Sequence, residues 1–172
     1  HLRRNAAAGT VYAAYLAFLA YRAAGIDPPR FRTVIPSVLA LQAADGGFSN
    51  ERAARESTAT ATAGAVVLLA ACGERGAGAW QGARWLRQQT VREGAFRGSP
   101  RAPVADLLST ATALFALRKA AVTIPSATLD EAATFTSDLW QESGGFSGYP
   151  GDTQPDAEFT FYGLLALGAI AT

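Results

Sequence analysis

Two series of residues recur in step along this 172-residue chain, and nothing else in it constrains the fold as tightly. Thr10, Thr60, Thr110 and Thr160 stand fifty residues apart. Each is followed two places later by Tyr12, Thr62, Thr112 or Tyr162 and then by an Ala/Leu-rich run; four places earlier stand Ala6, Glu56, Asp106 and Asp156. The second series is a glycine-bearing turn ending in phenylalanine: "DGGF" with Gly46, Gly47 and Phe48, "EGAF" with Gly94 and Phe96, and "SGGF" with Gly144, Gly145 and Phe146. A chain patterned in this way is built from stacked copies of one supersecondary unit.

Each copy reads as two helices. Helix formers run from about Asn5 to Ala24, where "GIDPP" interrupts them, with Asp27 as a cap and proline suited to a first turn. A second helix is expected to reach about Ala43, with the glycine pair taking positive φ after it. Further helices are expected over Ser57–Cys72, Ala79–Gln89, Asp106–Ala120 and Leu129–Trp140, and a last one from Asp156. Ser126 or Thr128 would cap the penultimate helix, Thr128 in a capping box with Glu131. No stretch alternates as a strand does, so the reading is all-α: about seven helices in two layers, in units 5–48, 56–96 and 106–146 with a final helix over 156–172. A helical hairpin cannot bury its apolar side alone, so the units stack; small residues along Ala61–Ala71 let helices approach, and Phe48, Phe96 and Phe146 plug the gaps.

Composition removes several function classes. A net charge of +1 with scattered arginines gives no footprint for nucleic acid. No apolar run reaches the roughly 20 residues that span a bilayer. One cysteine, Cys72, precludes an internal disulfide and suits a reducing cytoplasm. Alanine abundance and the use of arginine over lysine point to a GC-rich, bacterial coding sequence. With His1 first and no methionine, the chain is expected to be a processed or partial form of something longer.

These residues resemble the repeat of protein prenyltransferase β-subunits and of squalene and terpenoid cyclases. That repeat places a glutamine before Asp-Gly-Gly-Phe/Trp, then a loop and an inner helix with Thr and Ala-Leu pairs. Gln42, Asp45, Gly46, Gly47 and Phe48 match it; Gln89, Gly94 and Phe96 match with one extra residue; Trp140 replaces the glutamine before Gly144, Gly145 and Phe146. "ATALFAL" and "TFYGLLAL" match the inner helix. The resemblance implies a partial α/α toroid, about half of a ring of about twelve helices around an isoprenoid cavity. Missing sequence, a second chain or a second copy would complete it, unless the half-ring stands alone with open edges.

The resemblance also offers two chemistries. Zinc-dependent prenyl transfer needs Asp, Cys and His ligands, but His1 is terminal and Cys72 has only Glu74 nearby, so no metal site is expected. Class II terpenoid cyclases start an inner helix with Asp-x-Asp-Asp-Thr, and "DAEFT" overlays that motif. Asp156 falls on the first Asp, Glu158 on the proton donor, Phe159 on the last Asp and Thr160 on the Thr. Apolar burial would keep Glu158 protonated for attack on an alkene, and Tyr12, Tyr15, Phe115, Phe161 and Tyr162 would line the ligand cavity. Against this, acids recur at the helix starts, where they suit the dipole and the free N–H groups, whereas Glu158 has Thr58 and Leu108 at its sister positions. No cofactor is expected, except magnesium with a diphosphate substrate. "ACGERG" is similar to the thioester motif of complement-type α/α domains, but Arg75 stands where the bond needs glutamine; Cys72 reads instead as a small buried residue before a helix-ending Gly73. The expectation is an isoprenoid-handling domain or subunit, cyclase-like if it is an enzyme. The alternative is a non-catalytic repeat scaffold for a hydrophobic ligand or a protein.

Overall fold

A computed structural model describes residues 10–25, 32–51, 56–92 and 94–172. Among these residues seven helices occur and no strand: α1 Val11–Ala23, α2 Ile35–Leu39, α3 Ala59–Ala71, α4 Ala77–Gln88, α5 Leu107–Lys119, α6 Ser126–Asp138 and α7 Ala157–Ala171. The odd-numbered helices pack on one another in order, and the even-numbered ones cover them in a second layer. The expected all-α, two-layered repeat is therefore what forms.

The helix capping residues give the true register of the repeat. Thr10, Thr58, Asp106 and Asp156 are the N-caps of α1, α3, α5 and α7, each accepting from the N–H three residues on. Fourteen residues after each loop phenylalanine, a threonine hydroxyl accepts its N–H: Thr62 from Phe48 at 2.9 Å, Thr110 from Phe96 at 2.9 Å, Thr160 from Phe146 at 3.2 Å. The register equivalent of Thr110 is thus Thr62, and that of Asp106 is Thr58 rather than Glu56, which lies two residues before the cap and faces the exposed Arg101 at 3.8 Å. The run "TATAT" from Thr58 to Thr62 hides this shift, because it places a threonine on both counts.

Several boundaries also differ from expectation. α2 ends at Leu39, because tight turns carry the chain through Gln42 into an antiparallel bridge with Phe48. α4 begins two residues earlier than expected. α6 starts at Ser126 and uses neither Ser126 nor Thr128 as a cap: Pro125 occupies the cap with φ −57°, and its carbonyl already accepts from Leu129 N–H at 3.1 Å. Asp27, its prolines and residues 5–9 lie outside the described residues.

Loops join the units as much as apolar contacts do. Gly98 O accepts from Ala59 N–H and Gly148 O from Leu107 N–H, both at 2.8 Å, while Asn50 Oδ1 accepts from Tyr12 N–H at 3.1 Å. Each loop thereby serves the otherwise unsatisfied first turn of the preceding inner helix. Asp45 accepts from Gly47 N–H, from the Ser57 hydroxyl at 2.7 Å and from the Trp85 indole of α4 at 3.0 Å. Gln42 donates to Gly46 O and to Gly78 O of α4. Phe48, Phe96 and Phe146 are buried as expected, and Phe146 seats itself against Gly163, where any side chain would collide with its ring. Gly94 is equally committed: its φ is +66°, and a Cβ there would stand 2.6 Å from Thr128 O and Ala132 N of α6. Gly46, Gly144 and Gly145 share the positive φ, whereas Gly47 does not.

Candidate functional site

The inner helices curve enough for the first and last to meet. Tyr12 of α1 and Tyr162 of α7 bring their hydroxyls to 2.9 Å, although α3 and α5 lie between them in the series. Tyr15, one turn along from Tyr12, sets its ring 6.5 Å from that of Tyr12. Gly64 makes this possible, since a Cβ there would lie 3.0 Å from that of Tyr15. These three tyrosines form one aromatic cluster, in which Tyr15 and Tyr162 are buried and Tyr12 is half-buried.

Burial governs the chemistry of these phenols. It pushes the Tyr15 hydroxyl well above the ordinary tyrosine range, with the neighbouring Tyr12 adding to the effect. Burial does the same to Tyr162, followed by its hydrogen bond to Tyr12 and the proximity of Tyr12, Tyr15 and Glu158. Both stay neutral, so neither acts as a base. Tyr15 Oη is buried and finds no partner among the described residues, an arrangement that costs about 1–3 kcal/mol.

The other predicted residues separate into different environments. Asp156 spends its carboxylate on Phe159 N–H at 2.7 Å, so it is a helix cap. Glu158 lies on the line of Tyr162 and Leu165, as expected, but it is solvent-exposed rather than enclosed by apolar groups. In the corrected register its sisters are Tyr12, Thr60 and Leu108, so the tyrosine that pairs with Tyr162 occupies the position of Glu158 on the opposite helix. Phe161 is 49% exposed and touches the edge of Tyr162 at 5.1 Å, on the open flank of α7 rather than with the tyrosine group. Phe115 lies toward the other end, under Lys119 at 5.2 Å, in a groove of about 710 Å³ shared with Leu164, Leu165 and Gly168. The Tyr12–Tyr162 pairing escaped the sequence reading because the uncorrected register set the two as equivalents. Counted from the caps, they fall on the second and sixth helical positions, and opposed aromatics become visible.

Cys72 is buried at the C-cap of α3, and Gly73 follows it at φ +76°, as expected; burial raises its thiol pKa. Among the described residues no three His, Cys, Asp or Glu side chains gather as metal ligands, and no helix is long and apolar enough to cross a membrane.

The architecture is that of an α/α toroid wall, inner helices around a concave face and outer helices behind it. The chain belongs to the prenyltransferase alpha-alpha toroid domain family, whose sequence model matches residues 8–172. Among solved structures it is similar to Candida albicans protein geranylgeranyltransferase-I, complexed with GGPP, with a TM-score of 0.71 at 19% identity. The similarity covers 93% of this chain and 49% of that one, so the chain spans about half the length of its structural relative. Comparison with curated protein sequences gives no significant match.

Proposed function

We propose that this chain supplies part of the wall of an isoprenoid-binding cavity, its concave face taking up a prenyl or polyprenyl chain. The observation that carries this reading is the meeting of Tyr12 and Tyr162 across the inner helices, in a chain whose structural relative was solved with GGPP. Neutral phenol rings give an alkenyl chain an apolar, polarisable lining and give a developing cation π faces to rest against. Phe115, Leu165 and the groove beside them extend that lining. With a diphosphate substrate, magnesium would accompany the head group.

Glu158 is the residue we assign to proton donation if the assembly is a cyclase. Its carboxyl is hydrated here, so donation to an alkene requires a covering element that excludes water. The test incubates the protein with prenyl diphosphates and with squalene, alongside Glu158→Gln and Tyr162→Ala. The assignment predicts that Glu158→Gln abolishes turnover while leaving ligand binding within about twofold, and that Tyr162→Ala weakens binding by about tenfold. Turnover that survives Glu158→Gln removes the proton donor. A scaffold without catalysis is the second reading, favoured by the commitment of Asp156 to capping and the exposure of Glu158. Binding without turnover of any of these substrates would select it. The single buried cysteine fits our placement of the protein in a reducing cytoplasm.

A further inference from the structure

The net charge of +1 conceals a division along the chain. All fifteen Lys and Arg residues lie in 1–119, together with seven of the fourteen Asp and Glu; residues 120–172 hold the other seven acids and no base. In the fold this division falls between successive outer helices. The charged residues of α4 are Arg84 and Arg87, both exposed, with Glu74 and Arg75 exposed just before the helix. Those of α6 are Asp130, Glu131 and Asp138, all exposed, with Glu142 exposed after it. A tryptophan enters solvent with each: Trp80 on α4 at 63% exposure, and Trp140, two residues past α6, at 54%.

These charges are unpaired within the chain. Among the described residues the one ion pair joins Arg101 to Glu56, on neither helix. Arg84 lies 5.7 Å from the Trp80 ring, and no carboxylate of α6 reaches either arginine of α4. A groove of about 550 Å³ keeps the two helices apart; Trp80, Arg84 and Arg87 line it, with Val122 from the segment leading into α6. The outer face therefore presents a basic helix and an acidic helix in succession, each open to a partner of opposite sign. One exposed ion pair contributes little, but several charges of one sign on each helix steer association and fix its register.

We propose that the exposed faces of α4 and α6 form a self-complementary surface through which two copies of this chain associate, α4 of each against α6 of the other. A two-fold axis running along the helices, in the plane of contact, produces that pairing. An axis running across them would set α4 on α4 and α6 on α6, bringing like charges together. Charge thus selects one of the two symmetric arrangements. It also disfavours other occupants. The phosphates of a nucleic acid or of an anionic lipid surface would meet the acids of α6 beside the arginines of α4. A different protein would have to carry the same division of charge, which a second copy carries already. Helices of 12 and 13 residues are about 20 Å long, so the patch suits a reversible, charge-steered contact rather than an obligate one. Trp80 and Trp140 supply the apolar area that such contacts use. The surface lies on the outer helices, away from the concave face, and the inference is independent of the isoprenoid reading.

The experiment is sedimentation of the chain, of two charge-reversed variants and of their mixture. The unaltered chain is expected to form a dimer at about 20 mM salt, with a dissociation constant that rises at least about tenfold by about 0.5 M salt. Arg84→Glu with Arg87→Glu, and separately Asp130→Arg with Asp138→Arg, are each expected to weaken the dimer at least about tenfold at low salt. All four positions are exposed, and unchanged circular dichroism and melting establish that the variants fold. Mixed in equal amounts, the two variants are expected to regain a dimer of one copy of each, because the first carries acids on both helices and the second carries bases on both. A monomer at about 0.1 mM chain and about 20 mM salt overturns the proposal. So does a dimer indifferent to salt and to both reversals, or a mixture that stays monomeric. Assemblies larger than a dimer in the mixture contradict the two-fold pairing. Binding of a monomeric chain to phosphatidylserine vesicles, lost with Arg84→Glu and Arg87→Glu, would assign the arginines to a lipid surface instead. No readout involves an isoprenoid, so failure here leaves the ligand reading standing, and failure of ligand binding leaves this proposal standing.

Discussion

α5 and α7 carry the same repeat in the same register, yet they occupy different physical worlds. Each begins at an aspartate cap, and each sets a threonine hydroxyl against a loop phenylalanine. α5 is covered on both flanks, and its leucines at positions 107, 114 and 117 are essentially removed from water. α7 is covered on the α5 side and open on the other, where Phe161, Leu164 and Leu167 meet solvent. The sequence of a repeat sets which face of its helix is apolar; the neighbours decide whether that apolarity contributes to stability. Functional groups follow the same rule. Asp106 is partly enclosed, and burial raises its carboxyl despite bonds from Ser109, while Glu158 on α7 stands in water.

The largest effect that would break this contrast comes from paired truncations. Leu114→Ala opens a cavity in a closed core and is expected to cost about 2–5 kcal/mol. Leu164→Ala removes exposed atoms and is expected to change stability by no more than about 0.5 kcal/mol. Urea unfolding of the two variants measures both, and equal losses would mean that α7 is as covered as α5.

The next contrast concerns the loop hydrogen bonds. Thr110→Val leaves the buried Phe96 N–H without its acceptor and should cost about 1–3 kcal/mol. Thr160→Val strips the longer bond to Phe146 at the less enclosed end and should cost less than half as much. Unfolding midpoints in a single denaturant series order the two, and the reverse order would contradict the contrast.

The smallest effect is a pH dependence. Because the folded chain raises the Asp106 pKa, the native state holds that proton more tightly than the unfolded chain does. From about pH 4 upward to its folded value, the contribution of Asp106 to stability therefore falls as pH rises, opposite to a carboxylate held ionised by a partner. Asp106→Asn keeps a capping side chain and removes the titration. Thermal melts across that range should show the wild type gaining on the variant toward acid; a gain toward neutral pH would reverse the sign and refute it.

Much of this fold was legible because repetition is a long-range signal that a single sequence carries within itself. The helix count, the layering, the buried loop phenylalanines and the capping role of Asp156 all follow from residues compared with their own copies. The register was misread for a local reason. Alternating threonines at 58, 60 and 62 satisfy a fifty-residue spacing as well as the true one, and only hydrogen bonds show which hydroxyl faces Phe48. The cap of α6 was misplaced because Pro125 starts a helix with its fixed φ and needs no side-chain acceptor. The site was the least legible part. Tyr12 and Tyr162 lie 150 residues apart and meet only through the curvature of the wall. The exposure of Glu158 depends on what does or does not lie beside α7, which no local pattern encodes.

Hydrogen exchange in the unmodified chain tests the contrast between the two helices most directly. The amides of Leu107 and Ala157 occupy the same first-turn position, one donating to Gly148 O and the other to no described group. Strong protection is expected at Leu107 and near-unprotected exchange at Ala157, with the rates separated by about a hundredfold or more. Equal protection at the two positions would contradict it.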